Sequence, residues 1–157
     1  MEINDEILLG LDNEDNYLNK EKKIINVGTK LSDFNFIENI GEGDFSIVKL
    51  VTSKLTNKYY AMKEIKSKYC KTKRNLSKIE KEIKLLQSLN HPNVIKYYSS
   101  FQENDNYYII TEYLNNGSLE SLLKKNRQNG KLIEERIIWR LLIQALNGLY
   151  ICMKQKK

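Results

Sequence analysis

Gly41-Glu42-Gly43-Asp44-Phe45-Ser46-Ile47-Val48 sets two glycines at the joint between two strand-like runs, Phe34–Ile40 and Val48–Thr52. Such a joint reads as a hairpin whose tip can approach a ligand closely, because residues without a Cβ leave backbone N–H groups accessible to phosphate oxygens. Many hairpins carry two glycines for conformational reasons alone, so the reading depends on the residues downstream. Fifteen residues after Val48, the apolar run Tyr60-Ala61-Met62 ends on Lys63, and nineteen residues further on Glu82 stands in a strongly amphipathic stretch. A glycine loop, a strand ammonium and a helix carboxylate, in that order, can hold a polyanion, with the carboxylate positioning the ammonium. Taken singly, Lys63 would be an exposed strand lysine and Glu82 a partner for Lys78 or Lys81 on its own helix. An ion pair between Lys63 and Glu82 explains both at once.

The elements that would position these groups follow from periodicity. Phe34, Phe36 and Ile40 predict a first strand, Ile47–Val51 a second and Tyr59–Ile65 a third, with Lys54–Lys58 as a polar turn. Side chains alternate along a strand, so Tyr59, Ala61, Lys63 and Ile65 share one face. The small Ala61 then leaves room for a flat ligand beside the Lys63 ammonium. Residues 66–90 change period: Leu76, Ile79, Ile83, Leu86 and Leu89 predict a helix with one buried stripe. Glu82 lies at the edge of that stripe, whereas Glu80 should face solvent. Pro92 ends the helix. His91, the single histidine, has no accompanying nucleophile or acid and is read as bracing the turn. Val94–Phe101 and Tyr107–Tyr113, around the polar turn Gln102–Asn106, raise the strand count to five. Leu114–Gly117 is a connector, and Ser118 is the expected N-cap of a helix over Leu119–Lys125. Ile137, Ile138, Leu141, Leu142, Ala145, Leu146 and Leu149 predict a last helix, too apolar to stand in water without a partner surface.

Charge and composition narrow the class. The net charge of +6 hides an asymmetry: residues 1–20 hold Glu2, Asp5, Glu6, Asp12, Glu14 and Asp15 against Lys20 alone, so the other 137 residues carry +11. A basic surplus invites a nucleic-acid reading. The lysines concentrate on one expected helix and do not alternate with exposed aromatics, so no nucleic-acid partner is expected. Cys70 and Cys152 make neither a disulfide framework nor a metal spacing, which points to a reducing, cytoplasmic setting with no metal site. The acidic N-terminus lacks the features of a signal peptide. No apolar run approaches the roughly 18 residues of a membrane span, so no membrane partner is expected.

From about Phe34 to Leu149, the motifs and their order resemble the small lobe and first large-lobe helices of eukaryotic protein kinases. Leu89-Asn90-His91-Pro92-Asn93-Val94-Ile95-Lys96-Tyr97-Tyr98 and the Gly41–Ser46 loop are most similar to the NIMA-related serine/threonine kinases, as is Leu132-Ile133-Glu134-Glu135-Arg136 followed by Trp139. Ile109–Tyr113 with Asn116-Gly117-Ser118-Leu119 also suits a tyrosine kinase. The resemblance implies an α+β fold: a five-stranded antiparallel sheet with one packed helix, then the first helices of an incomplete helical large lobe. Residues 1–30 would be an acidic leader, expected to be flexible, in which Ile7, Leu8, Leu9 and Leu11 can form a short helix. Residues 31–114 would be the nucleotide-binding small lobe and 115–157 the hinge exit and first large-lobe helices.

The resemblance also implies ATP as ligand and assigns roles. The loop Gly41, Glu42, Gly43, Asp44, Phe45 and Ser46 would cover the phosphates, Val48 and Ala61 would sandwich the adenine, and Ile40 would also contact the nucleotide. Lys63 would hold the α- and β-phosphates and be positioned by Glu82. Thr111 would be the gatekeeper before a hinge of Glu112, Tyr113 and Leu114. Ser46 stands where the general loop has its third glycine, which should stiffen the loop without preventing phosphate approach. A kinase continues into His-Arg-Asp, a downstream Asn and Asp-Phe-Gly, yet after Tyr150 the sequence reads Ile151–Lys157 and neither triplet occurs in the 157 residues. Mg²⁺ is expected for the family, but its ligands and the catalytic base are absent here, so this chain alone is expected to be inactive. The expected function is the ATP-binding portion of a protein serine/threonine kinase, with a protein substrate for a longer form. The alternative is a non-catalytic small-lobe module that binds nucleotide or a kinase or regulatory partner.

Overall fold

The computed structural model describes residues 25–154, so the expected leader helix around Ile7–Leu11 lies outside the described residues. Five strands, β1 (Phe34–Glu42), β2 (Ser46–Ser53), β3 (Tyr59–Ile65), β4 (Tyr97–Glu103) and β5 (Asn106–Glu112), form one antiparallel sheet in the order β1-β2-β3-β5-β4. The helices are α1 (Ser67–Cys70), α2 (Lys73–Ser88), α3 (Leu119–Gln128) and α4 (Glu135–Lys154). This is the α+β arrangement that the periodicity and the resemblance predict.

Alternation divides β2, β3 and β5 between two cores. Val51, Tyr60, Met62, Tyr108 and Ile110 point to one face, where Val27 and Phe34 cover them. Ile65 and Ile109 point to the other, where Cys70 and Ile79 pack, supported by Leu76, Ile83 and Leu86 of α2. A strand buried on both faces reads as a nearly continuous apolar run, as Tyr60-Ala61-Met62 and Tyr108-Ile109-Ile110 do. The β4–β5 connection is a tight hairpin, with Asn104 and Asp105 both at positive φ (50° and 62°), residue types that tolerate the left-handed region.

Four sequence expectations are corrected. The small-lobe core begins before Leu31: Val27 is 1% exposed, and its carbonyl accepts a 2.6 Å hydrogen bond from Ser53 Oγ. The helical stretch 66–90 is two helices, because Thr72 leaves the helical conformation to cap α2, its side chain accepting from the Asn75 N–H at 3.2 Å. β4 starts at Tyr97 and not at Val94, since Val94 N–H closes a turn onto the His91 carbonyl at 3.0 Å. The last helix runs two residues before Ile137 and five past Leu149.

α4 is carried close to that turn by Gly148, which is buried. A Cβ there would sit 2.7 Å from the Asn93 carbonyl oxygen, so only glycine permits the approach. Elsewhere α4 keeps a wide apolar surface in solvent, including Ile138, Trp139, Leu146 and Leu149, each more than half exposed. No helix among the described residues is long and apolar enough to cross a membrane.

Candidate functional site

The strand register assembles the predicted residues on one face of the sheet. Val48 pairs with Lys63 and Leu50 with Ala61, while Ala61 pairs with Thr111 and Lys63 with Ile109. Directly opposed residues share a face, so Val48, Ala61, Lys63 and Thr111 all lie on the side that α2 covers. From α2, Glu82 reaches back: Lys63 Nζ is 2.6 Å from Glu82 Oε1. The predicted juxtaposition is present, and Glu80 is exposed as expected.

The glycine loop sits above this face. Gly41 pairs with Val48, and neither Gly41 nor Gly43 has a positive φ. A Cβ at Gly41 would make ordinary contact with Val48 Cβ at 3.6 Å, and one at Gly43 would lie 3.8 Å from the Ser46 carbonyl oxygen. The backbone therefore does not demand glycine at either position. What the missing Cβ atoms leave is open ground over Val48, next to Lys63. One expectation needs adjusting: the Gly43 N–H is engaged within the turn, donating to the Ser46 carbonyl at 2.9 Å. The loop is also tethered sideways, with the Phe45 ring 4.4 Å from that of Tyr69. Its carbonyl accepts from Lys66 N–H at 3.1 Å, and Glu42 pairs with Lys66 Nζ at 3.5 Å. Ile40 falls at the irregularity in the β1–β2 pairing and is 40% exposed.

At the far end of the face, Thr111 is half-buried and Leu114 is exposed just beyond β5. Glu112 is braced: its Oε1 accepts from the Lys96 N–H at 2.7 Å, and its own N–H donates to the Lys96 carbonyl at 2.9 Å. His91 braces its turn, Nδ1 accepting from the Asn93 N–H at 3.1 Å. Burial pushes the Cys70 thiol above its usual pKa, and it packs in the core below β3. Among the described residues no group of three or more His, Cys, Asp or Glu is placed to hold a metal ion.

Sequence reasoning did not find the polar cluster on the opposite face. Glu64 forms an ion pair with Lys49, accepts from Asn106 Nδ2 at 2.8 Å and from the Tyr108 hydroxyl at 3.4 Å. Asn106 Oδ1 in turn accepts from the Ser67 N–H at 2.7 Å, fastening the hairpin to the start of α1. The available signal was a glutamate on the otherwise apolar face of β3, which requires partners when half-buried.

The protein kinase domain family matches residues 34–156 of the chain. The chain belongs to the protein kinase family. The sheet with α1 and α2 is thus a kinase-like small lobe, and α3 and α4 are the start of the large lobe. Relatives span several kinds of kinase. The chain is 39% identical over 94 residues to a 3-phosphoinositide-dependent protein kinase B of Dictyostelium discoideum, covering 60% of this chain and 10% of that protein. It is 31% identical over 121 residues to the G2-specific protein kinase nimA of Emericella nidulans, covering 76% of this chain and 17% of that protein. It is 35% identical over 103 residues to the serine/threonine-protein kinase SIK1 of Rattus norvegicus, covering 66% of this chain and 13% of that kinase. The chain thus spans only 10–17% of the length of these kinases, and the identities do not single out the NIMA-related group.

Proposed function

We propose that this chain is the ATP-binding portion of a protein serine/threonine kinase, with the nucleotide lying between the Gly41–Ser46 loop and the face built from Val48, Ala61, Lys63 and Thr111. The observation that carries the reading is the Lys63–Glu82 pair, 2.6 Å apart, on the same face as the small Ala61 and beneath a loop whose glycines the backbone does not require. In this reading ATP supplies the transferable phosphoryl group. Lys63 holds its α- and β-phosphates, and Glu82 fixes where the ammonium sits. Ala61 and Val48 leave a flat apolar slot for the base, and Thr111 and Leu114 line its outer edge beside the Glu112 backbone, the Glu112 carboxylate being turned to the Lys96 N–H. Among the described residues no group of three or more His, Cys, Asp or Glu is placed to hold a metal ion, and neither His-Arg-Asp nor Asp-Phe-Gly occurs in the 157 residues. For these residues by themselves the proposed role is therefore binding, not transfer.

Titration of the 157-residue chain with a fluorescent ATP analogue tests the site: weak saturable binding is expected, competed by ATP and reduced several-fold in Lys63→Met. Equal binding by both chains would remove Lys63 from the site. Within the family, Ser46 and the Leu132–Trp139 motif support a NIMA-related kinase. A longer form carrying the catalytic loop should then phosphorylate serine or threonine peptides, and a preference for tyrosine peptides would refute the assignment.

A further inference from the structure

Helix α2 turns an almost wholly cationic face to solvent. Its apolar stripe of Leu76, Ile79, Ile83 and Leu86 packs on the sheet, leaving Lys73, Arg74, Lys78, Lys81 and Lys84 exposed. At 3.6 residues per turn, these five fall within about 140° of one another, opposite the buried stripe. Lys68 and Lys71, also exposed, precede the helix directly. Glu82 is engaged by Lys63, which leaves Glu80 as the one other carboxylate on α2. The arrangement works against the helix itself. Lys73 and Arg74 occupy the first turn, at the positive end of the macrodipole, with no acid beside them. Arg74 and Lys78 are like-charged i,i+4 neighbours, and Lys78, Lys81 and Lys84 are spaced i,i+3. An anionic cover over this face would relieve each of these repulsions.

The chain contains a segment of matching charge. Residues 1–15 hold Glu2, Asp5, Glu6, Asp12, Glu14 and Asp15 and no Lys or Arg. The described chain begins at Ile25, and its Gly28 carbonyl accepts from Ser99 Oγ, at 2.8 Å, on the edge strand β4. α2 lies beside that same strand, with Gln87 Nε2 donating to the Tyr97 hydroxyl at 3.1 Å. The nine residues between Asp15 and Ile25 span up to about 30 Å, whereas α2 is about 24 Å long. Val27 lies on the sheet face opposite α2, so the acidic segment reaches the helix by rounding the β4 edge, and tethering raises its effective concentration there. We propose that residues 1–15 dock, through their carboxylates, on the cationic face of α2. This is independent of the nucleotide reading and fails or stands without it.

Carbodiimide coupling, which joins carboxylates to lysine amines only in contact, tests this on the 157-residue chain at low salt. An equal mixture of isotopically heavy and light chains separates links within a chain from links between chains. Intrachain links are expected from the acids of residues 1–15 to Lys73, Lys78, Lys81 and Lys84. Their yield should fall several-fold at about 1 M salt, where the Debye length is about 3 Å. It should fall likewise, at Lys73 and Lys84, in an Arg74→Gln, Lys78→Gln, Lys81→Gln chain whose helical circular dichroism is retained. Links spread equally over Lys54, Lys58 and Lys124 overturn the proposal, as does a yield indifferent to salt and to the substitutions. Links found only between chains assign the face to a second copy and overturn it too, and so does the absence of links.

Discussion

The Lys63 ammonium and the Glu82 carboxylate lie 2.6 Å apart, yet their side chains are 35% and 43% exposed. Solvent screening at that exposure leaves such a pair about 0–1 kcal/mol of stability. Lys63→Met should therefore change the unfolding free energy by no more than about 1 kcal/mol while reducing nucleotide binding. Chemical denaturation beside the ligand titration separates the two, and a large stability loss would make the pair a structural brace. Thr111 makes a different prediction. It pairs with Ala61 on one side and Tyr97 on the other, so a longer side chain there would fill the space behind the slot. Thr111→Met should block bulky hinge-directed ligands and spare ATP; equal losses for both ligand classes would show that Thr111 is not the gatekeeper. The two cysteines can also be told apart. Cys70 is buried with its thiol pKa raised by desolvation, so it holds little thiolate at neutral pH, whereas Cys152 is half-buried. Iodoacetamide at pH 7.5 should modify Cys152 well before Cys70 by peptide mass mapping, with Cys70 gaining reactivity as pH rises.

Elements are fastened to one another at a few atoms, and those atoms set the sensitive positions. Ser53 is fully buried; its Oγ donates to the Val27 carbonyl at 2.6 Å and accepts from the Leu55 and Thr56 N–H groups at 3.2 and 3.3 Å. Ser53→Ala would leave the buried Val27 carbonyl unsatisfied, a loss of about 1–3 kcal/mol. Denaturant unfolding checks this, and Ser53→Thr, which keeps the hydroxyl, should recover part of the loss. Gly148 fastens α4 in the same way. Gly148→Ala would press a Cβ to 2.7 Å from the Asn93 carbonyl oxygen, against backbone that cannot swing aside as a side chain would. The helix must then shift off the turn, at a cost of about 1–3 kcal/mol. Faster amide hydrogen exchange confined to α4 and the His91–Val94 turn is the expected readout, and unchanged exchange would refute the contact.

At the scale of the whole molecule, the small lobe has its own core on both faces of the sheet, whereas α3 and α4 do not. Leu119, Leu123, Leu132, Ile138, Trp139, Leu146 and Leu149 are all more than half exposed. Apolar surface of that extent drives association in water. Sedimentation of the 157-residue chain should show concentration-dependent self-association, reduced by polar substitutions at Ile138, Leu142 and Leu146. A strict monomer would mean that α4 finds cover within the chain. The same chain should show no Lys63-dependent phosphate incorporation from labelled ATP with Mg²⁺ and a generic protein substrate. General-base assistance alone is worth about 10²–10⁴ in rate, and neither His-Arg-Asp nor Asp-Phe-Gly, the motifs that would supply the base and a metal ligand, occurs in the 157 residues.

What the sequence determined by itself was local or periodic. β3 falls at Tyr59–Ile65 as read, because alternation is a two-residue signal. Ser118 caps α3 as read, its Oγ accepting from the Ser121 N–H at 3.2 Å, because capping spans three residues. The Lys63–Glu82 pair was legible across its 19-residue separation because two chemically odd positions explained each other. What tertiary structure alone decided has no period to read. Val27 meets Ser53 across 26 residues and Glu112 meets the Lys96 N–H across 16. Gly148 meets the Asn93 carbonyl because two separate elements are brought edge to edge. Each is one polar group or one missing methyl finding its partner only after the chain has folded, and a buried carbonyl or a close backbone approach leaves no mark on the neighbouring residues.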